Sequence, residues 1–303
     1  TRSSTRAGSN RWGRFPTSGS TRIDLKARPR SLAGRSVLVC GGSKGIGLAT
    51  AAEVIARGGS ITVVARGRDG LQAAEDRLLQ LLSSRDQYVS TIEADATDWA
   101  DLEPKLERHF AERGVPDYLI NVVGYARPGY AKDLALDDFR RKIDTNYFGQ
   151  LIPTLVLLPH FLARSCGHVV FVSSMMGYFG IIGYAAYAPS KFALVGLAEA
   201  LRHEFRPHGI RFSVVYPPDT DTPGYAEENR TKPPETAMLS KSVRLAAPEQ
   251  IARDLIDGML ANRFHILPRG AGWVWRLQRY APTVVQAVLD RDLKRAMRKV
   301  GRR

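Results

Sequence analysis

The chain has 303 residues, 44% of them hydrophobic and 24% charged, an ordinary globular composition with length for one large α/β domain or two small ones. Its formal charge of +14 is concentrated at the ends: residues 1–33 hold eight basic residues and one acidic, residues 273–303 nine and two, and residues 34–272 hold 27 of each sign. The globular part therefore has no net attraction for a phosphate backbone, and nucleic acid is not an expected partner.

Cys40 and Cys166 lack metal-ligand spacing and the six histidines are scattered. No metal site is expected, and a reduced, cytoplasmic-type compartment is the default. Residues 1–33, rich in Ser, Thr, Gly and Arg without hydrophobic period, read as a basic, disordered tail. An Arg/Ser-rich, acid-poor leader also suits an organelle transit peptide, and the first residue, Thr1 rather than Met, suits a processed or engineered start.

From residue 34 strands alternate with helices. Strands are expected at 36–40, 60–65, 88–94, 117–121, 168–172, 211–216 and 264–267. Helices fill the intervals, through Arg57 and then over 69–82, 98–112, 134–164, 186–206 and 248–262. Alternation of this kind builds an α/β, doubly wound parallel sheet of Rossmann type with helices on both faces, here one domain over 34–270. Ligands of such sheets bind beyond the carboxyl ends of the strands. The proline-punctuated stretch 217–247 reads as a mobile lid over that edge. At the end of the chain Val285, Leu289, Leu293, Met297 and Val300 recur at helical spacing among Arg291, Lys294, Arg295, Arg298 and Lys299. This basic amphipathic helix, with Trp273 and Trp275 upstream, either lies peripherally on an anionic membrane or docks on its own domain or a neighbouring subunit. No run of 18 apolar residues exists to span a bilayer.

After the first strand comes CGGSKGIG, with Gly41, Gly45 and Gly47 spaced GxxxGxG. Glycines there let the backbone turn tightly and approach a pyrophosphate, which rests on the N-terminus of the next helix. Ser43, Lys44 and Ile46 belong to the same cradle. Sites for NAD place an acidic residue about 20 positions further on to hold the ribose 2′-hydroxyl. Here that position is Arg66, and with Lys44 it suits a 2′-phosphate, so NADPH is the expected cofactor. Asp95, ending the third strand, is placed to accept from the adenine amino group. Asn121 and Gly124 of NVVG are placed to line the adenine ribose.

Tyr187 and Lys191 lie four apart in YAPSK, on one helical face. A phenol with an ordinary pKa near 10 shuttles protons poorly at neutrality. Bringing it down by about three units takes roughly 4 kcal/mol, for which an ammonium one turn away, together with the positive charge of the oxidised nicotinamide, is a source.

The glycine spacing, NVVG and YAPSK together resemble the short-chain dehydrogenase/reductase family, over roughly 34–270. The resemblance implies a Ser–Tyr–Lys–Asn set. Tyr187 is the proton donor and Lys191 lowers its pKa while holding the nicotinamide ribose. Ser174 in FVSSMMG orients the carbonyl, with Ser173 as the alternative, and Asn146 in DTNYFG supports a proton relay. Pro217, Thr220 and Thr222 of PPDTDTPG fall near the expected nicotinamide carboxamide. Departures are Cys40, Val122, Val123 and Pro218 where the family usually has Thr, Asn, Ala and Gly. The family also implies a homo-oligomer, dimer or tetramer, paired through the helices at 134–164 and 186–206. The strings YPPDTDTPGYAEENRTKPPET and GYFGIIGYAAYAPSKFAL resemble the members that reduce 3-ketodihydrosphingosine, which implies a lipid-like substrate collected from a membrane. Two alternatives stay open: a short-chain reductase of a 3-oxoacyl thioester, steroid or small ketone, and a non-catalytic NADP-binding protein.

Overall fold

Short runs of β-branched residues build the centre of the molecule. The computed structural model describes residues 31–241, 244–268 and 270–301. In it β1 (Ser36–Cys40), β2 (Ser60–Ala65), β3 (Val89–Glu93), β4 (Tyr118–Asn121), β5 (Gly167–Val172), β6 (Ile210–Val215) and β7 (His265–Ile266) form one sheet, ordered β3-β2-β1-β4-β5-β6-β7. All neighbours are parallel; Val39, for example, lies across from Val63 on one side and Ile120 on the other. A parallel sheet is covered on both faces, so its strands are near-continuous apolar runs, and every residue of β5 is buried. The strand order reverses between β1 and β4, which opens a crevice at their carboxyl ends.

Eleven α-helices are described: α1 (Gly45–Ala56), α2 (Arg68–Leu79), α3 (Trp99–Arg113), α4 (Leu136–Ile143), α5 (Gly149–Ala163), α6 (Tyr187–Phe205), α7 (Pro223–Asn229), α8 (Pro234–Ser240), α9 (Pro248–Leu260), α10 (Ala271–Tyr280) and α11 (Pro282–Lys299). Alternate strand residues supply two cores. Leu38, Leu119, Val169 and Phe171 pack with Leu106 of α3, Phe161 of α5 and Leu194 of α6. Val37, Val39, Ile120 and Val170 pack with Val54 of α1 and Leu255 and Met259 of α9. Each such fully buried aliphatic side chain is worth roughly 1.5–3 kcal/mol relative to leaving it in water.

The alternation of elements is as expected; four local features differ. The expected tail reaches too far: Leu32 is fully buried in the second core and its N–H donates to Arg57 O. Residues 1–30, including the rest of that tail and any transit peptide, lie outside the described residues. The expected helix over 134–164 is α4 and α5 joined by a π-helical turn, Asp144–Phe148. The lid is not merely a loop. Pro223 and Pro234 open α7 and α8 at first-turn positions, where a missing N–H costs nothing. Thr222 caps α7, and Thr220 bridges to Ala246 at the lid's far end.

The C-terminal segment, fourth, is two helices broken at Pro282, and α11 lies against α10 and α8. That buries Val285 and Ala296 and ties the segment to the lid. Trp273, Tyr280, Val284 and Val288 remain exposed on the outward side, with Arg291 and Arg295. Among the described residues no helix is long and apolar enough to cross a membrane.

Candidate active site

The turn from β1 into α1 has no room for a side chain at Gly41 or Gly47. A Cβ on Gly47 would stand 2.1 Å from Gly41 O, and one on Gly41 would stand 2.9 Å from Val123 N. Gly41 and Gly45 both take positive φ, at 85° and 56°, which costs glycine nothing. The backbone is thereby brought flush with the mouth of the crevice. Lys44, exposed, is the N-cap residue of α1, and its side chain makes no capping hydrogen bond among the described residues. The first turn of α1 carries no acidic residue, so its N–H groups and dipole face outward for an anion. Ser43 reaches toward Gly70 at the start of α2, and Ile46 O holds the Thr50 hydroxyl.

Arg66 and Asp95 meet at the same rim, Nη1 to Oδ2 at 3.5 Å, with the arginine side chain 69% exposed. A surface pair of that kind is worth little, so Arg66 can turn to a phosphate at small cost. Asp95 Oδ1 accepts from Thr97 N and Oγ1. Thr222 lies across the Gly loop, its Cγ2 3.2 Å from where a Gly45 Cβ would be. A glycine-lined cradle at a helix N-terminus with a cationic rim fits a dinucleotide with its pyrophosphate.

The chemical end is assembled from three elements. β5 delivers Ser174, whose Oγ accepts from Met176 N at 3.1 Å and whose hydroxyl faces the Tyr187 phenol. α6 opens on Tyr187 and carries Lys191 one turn later, its Nζ 5.7 Å from the phenol ring centroid. Lys191 Nζ donates to Val172 O at 2.9 Å and is almost wholly buried. The π-turn delivers Asn146. Its Oδ1 accepts from Tyr125 N at 2.9 Å, and its Nδ2 donates to Tyr125 O and to Ser190 Oγ. A π-turn often marks a functional site, because it re-aims one residue without breaking the helix. Gly124 closes the group: a Cβ there would stand 3.0 Å from Asn146 Oδ1 and 3.1 Å from Lys191 Nζ. Pro217 O, at the exit of β6, accepts from Met175 N and so ties the lid's root to the Ser174 turn.

The choice between the adjacent serines follows from their partners. Ser173 is buried, and its hydroxyl donates to Lys191 O at 2.8 Å. It braces α6 while Ser174 faces the phenol. Asn121 and Thr220 differ from expectation. Asn121 is fully buried with Nδ2 donating to Thr154 Oγ1, so its side chain points into the core under α5 and not along the cofactor. Thr220 is also buried, and its hydroxyl donates to Pro218 O.

The titration behaviour differs too. Burial pushes the Tyr187 phenol above its ordinary value, the carboxylates of Glu228 and Asp219 add to that, and only the Ser174 hydrogen bond opposes. Burial lowers Lys191 to about 7. The expected lowering of the phenol by Lys191 is therefore not what the polypeptide's own groups produce: that amine is aimed at Val172 O and itself pressed toward neutrality. They hold the phenol protonated, the state a proton donor needs.

Sequence reasoning missed Gln150, whose amide spans the ends of β4 and β5 through Val123 O, Val172 O and Val172 N. It also missed Tyr184 and Glu228, hydrogen-bonded to each other beside Tyr187. An amide near the start of an otherwise apolar helical run, GQLIPTLVLL, was the available signal for the first. A lid carboxylate has no comparable signature.

The fold and this site define a dinucleotide-dependent oxidoreductase. A family model for short chain dehydrogenase matches residues 35–233, and the chain belongs to that family. Among curated relatives, 3-dehydrosphinganine reductase of Danio rerio is 39% identical over 241 residues, covering 79% of this chain and 73% of the relative. The 3-ketodihydrosphingosine reductase of Bos taurus is 38% identical over 242 residues, covering 80% and 73%. The crystal structure of levodione reductase superposes with a TM-score of 0.70 at 24% identity, over 78% of this chain and 95% of that one, which concerns the fold. The protein is an oxidoreductase that uses a nicotinamide dinucleotide.

Proposed function

We propose that the protein reduces the ketone of 3-ketodihydrosphingosine, a long-chain 3-keto amino alcohol, to the secondary alcohol with NADPH. The observation that carries the chemistry is the gathering of Ser174, Lys191 and Asn146 around Tyr187: Lys191 Nζ lies 5.7 Å from the phenol ring centroid, and a Cβ on Gly124 would stand 3.1 Å from that Nζ and 3.0 Å from Asn146 Oδ1. The substrate assignment is supported by the names of relatives alike over four-fifths of the chain. The preference for the phosphorylated coenzyme is supported by Arg66 and Lys44 at the rim, with no carboxylate at the Arg66 position.

When bound, the dinucleotide supplies the hydride. Tyr187 gives its proton to the carbonyl oxygen as charge develops there, and Ser174 holds that oxygen in line. Lys191 binds the nicotinamide ribose and returns a proton to the phenolate; as an amine poised near neutrality it exchanges protons readily. Asn146 fixes the path from Lys191 outward. The exposed Trp273, Tyr280, Val284 and Val288 with their neighbouring arginines form the face that meets the lipid surface holding such a substrate.

The test is a steady-state screen with NADPH and NADH in parallel. Turnover of 3-ketodihydrosphingosine is expected to exceed that of an acetoacetyl thioester by at least about tenfold in kcat/KM, with NADPH preferred and with anionic vesicles a better carrier than neutral ones. Equal or inverted rates point to the second reading, a short-chain reductase of another ketone.

A further inference from the structure

The lid holds more charge beside the reaction centre than proton transfer needs. Tyr184, whose ring centroid is 5.8 Å from that of Tyr187, hydrogen-bonds through its hydroxyl to Glu228 Oε1 on α7. Lys232 Nζ lies 3.2 Å from the same carboxylate oxygen and 4.0 Å from the Tyr225 ring centroid, with only 1% of its side chain exposed. The Tyr225 hydroxyl in turn donates to Asp219 Oδ2 at 3.2 Å. Asp219 is fixed by its own carbonyl, which accepts from Ala246 N, and it follows Pro217, whose carbonyl accepts from the Ser174 turn. Among the described residues the cluster contains two carboxylates and one ammonium, one negative charge in surplus. Glu228 is largely buried and paired with Lys232; burial pushes its carboxyl above the usual range while Tyr184 and Lys232 oppose that, and the second carboxylate, Asp219, has no ammonium of its own among the described residues. Arg230, the next basic residue, is exposed and spends its charge on Glu227.

A cation arriving beside Tyr187 would complete the balance. In a 2-amino-3-ketone the ammonium sits on the carbon next to the carbonyl. A carbonyl oxygen held by Ser174 and Tyr187 thus places that ammonium within the field of the same lid carboxylates. Resting on the proposed function, we infer that Glu228, supported by Asp219 and held by Tyr184, is the specificity-determining group that recognises the substrate's ammonium. The aromatic and carboxylate walls around Lys232 show that this corner of the lid already accommodates an alkylammonium group. The cluster also links recognition to chemistry: the carboxylates that hold the ammonium are the ones that keep the phenol protonated.

The experiment compares 3-ketodihydrosphingosine with its chain-matched analogue lacking the amine, a 1-hydroxy-3-ketone, in wild type and Glu228→Gln, with NADPH binding by fluorescence as the check on folding. Glutamine retains a partner for Tyr184 and removes the charge. The ratio of kcat/KM for the amine over the analogue should fall about tenfold or more in the variant, as for a lost charge-assisted contact. If the cluster only pins the lid, both substrates lose equally and the ratio stays within about twofold, which overturns the inference. Should Glu228→Gln fail to bind NADPH, Asp219→Asn reads the same ratio with the same two outcomes. A wild type that ignores both long-chain ketones while reducing a thioester overturns the substrate assignment itself, so the two failures are told apart by the unmutated protein.

Discussion

Ser173 and Ser174 are chemically identical neighbours that the backbone sends to opposite sides of a strand end. One braces Lys191 O, the other faces the phenol. Ser174→Ala should therefore lower kcat by about 10²–10³ with NADPH affinity nearly unchanged, as for a lost oxyanion donor. Ser173→Ala should instead cost about 1–3 kcal/mol of stability, because it leaves α6 without its brace. Chemical denaturation and steady-state kinetics on the two variants separate the effects, and the reverse pattern would exchange the roles. Residue identity and spacing were legible in the sequence wherever one backbone period carries them, as with Tyr187 and Lys191 on a shared helical face. Side-chain direction was not. Asn121 at a strand end and Thr220 at the lid's root stand where ligands would, yet the Asn121 Nδ2 donates to Thr154 Oγ1, its Oδ1 is buried without a partner among the described residues, and the Thr220 hydroxyl donates to Pro218 O. No local pattern distinguishes a polar residue facing a cleft from one satisfying the core.

Among the elements, the central strands were legible because burial on both faces makes them near-continuous apolar runs, while the edge strand β3, Val89–Glu93, is only partly buried and was legible from the alternation of elements. The lid was not, since proline reads as punctuation whether it interrupts a loop or begins a helix. The π-turn was invisible for a related reason: it changes hydrogen-bond register without changing apolar period. β5 also carries a group with a pH consequence. His168 is buried, and its Nε2 lies 2.8 Å from Ser213 Oγ; that hydroxyl donates to Arg263 O, so Nε2 carries the proton. Burial, with a smaller push from Arg211, lowers His168 to about 3. The unfolded chain binds a proton near the ordinary value of about 6.5, so stability from the neutral ring is complete above that pH and is lost as pH falls toward 3. Unfolding free energy should then drop by up to about 1.4 kcal/mol per pH unit across that window. His168→Gln, which keeps a donor for Ser213, should flatten the slope; an unchanged slope in urea titrations between pH 4 and 7 would show that His168 is not the responsible group.

At the scale of the whole molecule, charge and core are arranged around one edge of the sheet. The Gly-loop turn, the Ser174 turn, the start of α6 and the root of the lid all gather at the carboxyl ends of the strands, where the strand order reverses. The lid in turn rests on α11, so the basic end of the chain is mechanically continuous with the part that covers the substrate. The neutral charge balance of residues 34–272 was readable from counts alone. That the C-terminal helix docks on the lid was not, because the same amphipathic stripe suits a membrane, a subunit or its own domain. The central claim is that Tyr187 delivers the proton while cofactor binding depends on other groups, and Tyr187→Phe tests it most directly. Turnover of 3-ketodihydrosphingosine should fall by about 10²–10⁴, with NADPH still binding within about threefold of wild type by fluorescence titration. A variant that retains turnover within tenfold of wild type would contradict the account.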